Sequence, residues 1–259
     1  MANISFLQRE RIIRQWHNPS QVLFSDYTER RDVRRVLMFA REHAATSYAI
    51  TGSRMMIVGM PNVGKSSMLN ALRSIGVGKG KVAQTGAQPG VTRKIATGVK
   101  IIDADEDGEG VYLVDTPGVF VPYIPDSETM LKLALCGSVK DSVVSPVTLA
   151  DYLLYHINLI SPDLYADYHE PVNDIMPLLE AMAKKTGRLQ RGATPDTEGT
   201  ALWMVQRWRN GYLGRFVLDE VTEGALERAK AADLELAPSL NQARKADKEL
   251  RKAKNKSTD

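Results

Sequence analysis

Cysteine is almost missing from this chain: Cys136 is the only one in 259 residues. An internal disulfide framework is therefore excluded, and the chain suits a reducing compartment. No apolar run approaches the roughly 20 residues needed to span a bilayer. The first twenty residues carry charges but no apolar core of secretory type, and Glu10 with few serines makes a poor transit peptide. The net charge of +3 is too small to specify a nucleic-acid partner. What is present is an ordinary globular composition, 43% hydrophobic and 25% charged, in a chain long enough for one or two domains. The charge is unevenly placed. Arg244, Lys245, Lys248, Arg251, Lys252, Lys254 and Lys256 crowd the carboxyl end against Asp247, Glu249 and Asp259. That end reads either as a solubilising tail or as one that contacts RNA.

One stretch organises the rest. Residues 56–67 read MIVGMPNVGKSS, an apolar strand (Met55 to Val58), a glycine-bearing turn and the start of a helix (Lys65 to about Ser74). Gly59-Met60-Pro61-Asn62-Val63-Gly64-Lys65-Ser66 fits G-x-x-x-x-G-K-[ST], the phosphate-binding loop. The two glycines let the backbone curl so that successive N–H groups, those of Asn62 to Ser67 included, face phosphate oxygens, and the helix end adds positive field. Lys65 is placed to reach the β- and γ-phosphates, and the Ser66 hydroxyl to bind Mg²⁺.

Downstream residues add to that site. Residues 76–90 (GVGKGKVAQTGAQPG) form a long glycine-rich loop, expected to be mobile, that ends at Thr92. A threonine there can reach Mg²⁺ and the γ-phosphate while that phosphate is present, as a nucleotide switch requires. Lys94 to Ile102 is expected to be a strand. The acidic run 103–110 lacks the twelfth-position glutamate of a calcium loop and reads as a solvated hairpin turn. Val111 to Val114 is a buried strand ending in Asp115-Thr116-Pro117-Gly118. Asp115 is placed to hold Mg²⁺ through its water shell, and the Gly118 N–H to approach the γ-phosphate. Loop, threonine and aspartate in this order specify a phosphate-loop nucleotide hydrolase.

Elsewhere the pattern is mostly helical. Phe6 to Trp16 is amphipathic, and Asn18-Pro19 ends it. Gln21 to Phe24 reads as a short strand, with Ser25-Asp26 capping a helix over Arg30 to His43. There Val33, Val36, Leu37 and Ala40 form the apolar face and arginines the solvated one. An arginine contact with RNA would look the same. His17 and His43 have no metal-ligand spacing. Past Pro125, helices are expected over Ser127–Leu135, Val147–Leu159, Val172–Lys185 and Thr200–Asn210, with His156 and His169 part of their packing. Gly211 to Asp219 reads as a turn and strand-like tail. From Glu223 the chain is an exposed helix or disordered.

The strings GMPNVGKSSMLNALR, TGAQPGVTRKI, DTPGVFVP and LALCGSVKDSVV resemble the circularly permuted ribosome-assembly GTPases of the Ras-like class, in particular their mitochondrial branch. The resemblance runs from about Gln8 to Leu218. It implies an α/β fold: a P-loop NTPase with a circularly permuted Ras-like GTPase core over 1–125, followed by a small helical domain over 126–220 and a basic tail over 221–259. It implies GTP and Mg²⁺ as ligands, with Asn62, Val63, Gly64, Lys65, Ser66, Ser67, Thr92 and Gly118 on the nucleotide and Ser66, Thr92 and Asp115 on the metal. Lys65, Thr92 and Asn62 would act in catalysis, Asn62 by helping to bind K⁺. Such an ion supplies charge where an arginine finger, worth roughly 10³–10⁵ in rate, does in other systems. The alternative for Asn62 is a loop residue chosen for its turn conformation. Val119 stands where Ras-like proteins commonly place a water-orienting glutamine, so intrinsic turnover should be slow.

The resemblance further implies the large ribosomal subunit and its rRNA as partners. It implies a place in the mitochondrial matrix, or peripherally at the matrix face of the inner membrane, with no transmembrane segment. A cytoplasmic bacterial-type enzyme and a non-catalytic ribosome-binding fragment are the alternatives. The chain departs from the family in one respect. Val22-Leu23-Phe24-Ser25-Asp26 matches the strand and loop of the S-A motif, but the base-reading N-K-x-D expected before it has no match. Asn255 to Asp259 is one residue too long and lies in the tail. The core is therefore expected to be incomplete at its amino-terminal end, leaving an exposed edge beside the phosphate-loop strand.

Overall fold

The structure is a computed structural model that describes residues 6–46, 52–83, 98–104, 110–119, 124, 126–235, 244–245 and 248. Its sheet grows from the two apolar runs that flank the expected site. β1 (Ser53–Ile57) and β3 (Val111–Asp115) pair in parallel, with Ile57 opposite Asp115, and β2 (Val99–Ile102) pairs antiparallel with β3. The order is β1-β3-β2. The acidic run therefore joins the two strands of a hairpin, as expected, although residues 105–109 lie outside the described residues.

Alternation along these strands separates two faces. Met55, Ile57, Val99, Ile101, Val111 and Leu113 face a core closed by Val33 and Ala40 of α2 (Arg30–Ala45) and by Leu69 and Leu72 of α3 (Lys65–Val77). The helix face predicted for α2 is the buried one, and its arginines are exposed. Helix α3 lies so close to β2 that a Cβ on Gly76 would sit 1.8 Å from the Ile101 carbonyl oxygen. On the other face, Met56 and Val58 are 61% and 59% exposed. Among the described residues β1 is an outer strand.

A second core is wholly helical. It is built by α4 (Ser127–Leu135), α5 (Pro146–Ile160), a 3₁₀ turn (Pro162–Tyr165), α6 (Ile175–Thr186) and α7 (Thr197–Arg209). Leu135, Leu149, Leu153, Leu154, Ile157, Leu178, Leu179, Met182 and Met204 are fully buried in it. Helix boundaries follow local chemistry. Pro146 opens α5, the Asp174 and Asp196 side chains accept from Met176 N and Gly199 N at the starts of α6 and α7, and left-handed Gly187 closes α6. Buried Tyr165 satisfies its hydroxyl with Asn158 Oδ1 at 2.8 Å and Val172 N at 3.0 Å. His156 packs edge-on to Tyr152, 4.6 Å between centroids, as expected of a core histidine. His17 and His43 are exposed.

Two strand expectations fail. Residues 21–24 and 211–219 are not strands. The apolar residues of the second run instead pack on the helices: Leu213 is 2% exposed, and Phe216 and Leu218 lie against the same core. Nor does Asp26 cap α2. It accepts from Thr28 N at 2.8 Å and Thr28 Oγ1 at 2.6 Å, closing a turn that leaves Glu29 as the N-cap. The Thr28 hydroxyl bond holds the Asp26 carboxyl below its ordinary pKa.

By contacts the chain divides into two units. The first takes in 22–120 and 130–218 and contains both cores. The second collects 2–21, 121–129 and 219–259. In the second unit α1 (Phe6–Trp16) carries a Glu10–Arg14 pair at 2.5 Å, and α8 (Ala225–Glu235) is tied by Arg228 to Glu220 at 2.8 Å. The run after Glu223 is thus an exposed helix as far as Glu235. Among the described residues no helix is long and apolar enough to cross a membrane.

Candidate nucleotide site

The site forms where β1 and β3 end side by side. After Ile57 the chain turns through Gly59 to Gly64, with Asn62 at φ 57° and Gly64 at φ 92°, and enters α3 with Met68 N donating to Gly64 O at 2.8 Å. A side chain at Gly64 would be strained, whereas asparagine tolerates the left-handed region. The turn-conformation reading of Asn62 therefore has a physical basis. Its Nδ2 donates to the Gly137 carbonyl at 3.1 Å.

Lys65 folds back over the loop, its Nζ donating to Gly59 O at 2.9 Å and Met60 O at 2.5 Å. Partial burial pushes its pKa below the ordinary lysine value, and Asp115 opposes this. Ser66 Oγ donates to Asp115 Oδ2 at 2.6 Å. Asp115 is 2% exposed, and its other oxygen, Oδ1, has no hydrogen-bond partner among the described residues. A buried carboxylate oxygen without a donor is costly unless a cation or its water satisfies it. A serine hydroxyl and a carboxylate are the hard oxygen ligands Mg²⁺ takes. Ser66 and Asp115, widely separated in the chain, thus fit the metal.

The Asp115–Gly118 turn is stitched to the loop. Thr116 Oγ1 donates to Ile57 O at 2.7 Å and Val119 N to Gly59 O at 3.1 Å. Gly118 touches Pro61 so closely that a Cβ would lie 2.5 Å from the Pro61 Cα. This glycine is required by space, a reason that D-x-x-G alone does not reveal. Val119 is 60% exposed, and Val63 57%. Thr92 lies outside the described residues, as do the residues of the loop from 84 to 97.

Five further residues border the site without having been expected there. A cavity of about 470 Å³ runs along α3, lined by Ser67, Asn70 and Ser74 together with Tyr27, Arg30 and Lys81. Tyr27 lies against Gly64, 3.8 Å from where its Cβ would be, although it stands 37 positions earlier in the chain. Asn70 is buried, its Oδ1 accepting from Val82 N and Ala83 N and its Nδ2 donating to Ala83 O. It anchors Val82 and Ala83 of the glycine-rich loop. Asn70 lies within the apolar run of α3, and a buried-looking amide was the signal available. Tyr27 and Lys81 carry no such signal.

Comparison with known proteins agrees with this geometry. The sequence profile of the family described as 50S ribosome-binding GTPase matches residues 54–185. The chain belongs to that family. It is 44% identical over 169 residues to Mitochondrial GTPase 1 of Schizosaccharomyces pombe, a match covering 65% of this chain and 50% of the relative. Against Mitochondrial GTPase 1 of Schizosaccharomyces japonicus it is 38% identical over 195 residues, covering 75% and 57%. Against Mitochondrial ribosome-associated GTPase 1 of Xenopus tropicalis it is 33% identical over 233 residues, covering 82% and 74%. The chain thus spans about half the length of the two yeast relatives. The GDP-bound structure of TM YlqF shares the fold, with a TM-score of 0.50 at 22% identity over 82% of this chain and 78% of that one. The family expected from the sequence is the family found.

Proposed function

We propose that this chain binds GTP with Mg²⁺ at residues 59–67 and hydrolyses the γ-phosphate, in assembly of the large mitochondrial ribosomal subunit. The observation that carries the reading is the Ser66–Asp115 pair with its unpartnered Asp115 Oδ1, set beside Lys65 on a phosphate loop. Ser66 and Asp115, with Thr92, would hold the metal, which supplies charge neutralisation to the phosphates when bound. Lys65 exchanges two loop carbonyls for phosphate oxygens, and loop N–H groups with that of Gly118 orient the γ-phosphate. Val119 has no group to orient water, so turnover is slow until a partner acts.

The names of the relatives support the mitochondrial and ribosomal parts of this reading. One surface of the helical core supports the ribosomal part alone. Arg188 and Arg207 stack on Trp203 at 4.7 and 5.5 Å, Arg207 on Tyr212 at 4.1 Å, and Lys185 on Tyr168 at 5.4 Å. Interleaved cations and rings suit rRNA phosphates and unstacked bases. The proposed location is the matrix or the matrix face of the inner membrane. A potassium ion at Asn62 would use its carbonyl oxygen, because the amide nitrogen is committed to Gly137.

A titration with a fluorescent GTP analogue tests the assignment. Lys65→Ala should abolish binding, and ATP should compete poorly; unchanged affinity in the variant sinks the proposal. Turnover should be faster in K⁺ than in Na⁺, and equal rates remove Asn62 from the mechanism.

A further inference from the structure

The string LALCGSVKD supplies no group to the phosphates or the metal, yet its turn grips the phosphate loop from outside. Helix α4 ends in a Schellman arrangement: Gly137, at φ 75°, donates its N–H to Ala134 O at 2.9 Å, and Ser138 N donates to Leu133 O at 2.9 Å. This presents two groups to the loop. Ser138, 2% exposed, donates its hydroxyl to Pro61 O at 3.1 Å, and Gly137 O accepts from Asn62 Nδ2 at 3.1 Å. A Cβ on Gly137 would be strained at this φ and would lie 2.8 Å from that Nδ2, displacing the amide from its bond.

The turn is itself held by α7. Arg209 Nε donates to Leu135 O at 2.9 Å, and one guanidinium nitrogen to Ala134 O and Asp141 Oδ1, each at 2.8 Å. Its side chain is only 12% exposed. A planar fork reaching three acceptors fixes the turn as a lysine could not. The chain of contacts therefore runs from the helical core through Arg209 to Gly137 and Ser138, and from there to Pro61 and Asn62, two residues before Gly64.

We propose that Gly137, Ser138 and Arg209 are positioning residues that hold the phosphate loop in its open, curled form, so that the helical core pre-shapes the nucleotide site. That this shaping serves nucleotide binding rests on the function proposed above. Pre-organising a loop removes the ordering cost from the binding step.

The test measures backbone ¹⁵N relaxation of the intact chain without nucleotide, followed by the GTP-analogue titration. In the parent, Asn62, Val63 and Gly64 should give order parameters near the rigid value of about 0.85, falling toward 0.6 in Ser138→Ala. Thr186→Ala, which deletes a hydroxyl bonded to Met182 O elsewhere in the same core, should leave them unchanged. Affinity for the analogue should fall roughly three- to tenfold in Ser138→Ala, the size of one hydrogen bond. Should Ser138→Ala fail to fold, Arg209→Lys carries the same expectations. Unchanged order parameters at 62–64 in Ser138→Ala, or an equal fall there in Thr186→Ala, overturns the proposal. Loop loosening in a chain whose parent binds no nucleotide upholds the contact and overturns the function instead.

Discussion

Replacing Gly118 by alanine places a methyl group 2.5 Å from Pro61 Cα, 2.6 Å from its nitrogen and 2.7 Å from its Cγ. Carbon contacts are comfortable at about 3.5–4.0 Å, so the two turns must part by about an ångström. Neither gives easily. Pro61 is a buried ring whose carbonyl oxygen holds Ser138, and the 115–118 turn is tied to β1 through Thr116. The clash is relieved by giving up the Val119 N–Gly59 O bond. Overpacking of about 1–3 kcal/mol plus about 1 kcal/mol for the bond gives a loss of about 2–4 kcal/mol. At about 2–4 °C per kcal/mol for a chain of this size, the melting temperature should drop by about 5–15 °C. Thermal unfolding by circular dichroism measures it. Gly80→Ala is the control, because a Cβ there meets nothing within 4 Å. A Gly118→Ala protein that melts within a degree of the parent would refute the claim that the two turns leave no room.

Three other outcomes follow from the same geometry. Ser66→Ala leaves buried Asp115 without its hydroxyl donor and should cost about 1–3 kcal/mol in urea unfolding, besides weakening the Mg²⁺ dependence of nucleotide binding. Gly76→Ala drives a methyl into the Ile101 carbonyl and should destabilise the sheet core by about 3 kcal/mol, the upper end for overpacking. Hydrogen exchange should locate that loss in α3 and β2 and leave α5–α7 protected. Burial lowers the Lys65 pKa, so its ammonium deprotonates below the ordinary lysine range. Phosphate favours the charged form, so nucleotide affinity should fall as pH rises through that lowered value. Lys65→Arg should lose this alkaline dependence in the same titration.

Much of the fold was legible because its determinants are local. Apolar spacing places α1 over Phe6–Trp16 and α4 over Ser127–Leu135 at the bounds expected, and the buried face of α2 is the one its periodicity marks. The failures are equally instructive. Residues 211–219 contain the β-branched and aromatic residues of a strand, but a strand also needs a partner. Among the described residues Leu213, Phe216 and Leu218 find helices instead.

By itself, the sequence determined the phosphate loop and the order of Lys65, Ser66 and Asp115, because glycine spacing and residue type are what phosphate and Mg²⁺ chemistry require. Only the tertiary structure decided why Gly118 and Gly76 must be glycine, and which groups Ser138 and Arg209 hold. Their reasons lie in contacts with Pro61, Ile101, Leu135 and Asp141. Ser138 and Pro61 stand 77 positions apart, and no local periodicity reports what a backbone meets at that distance along the chain.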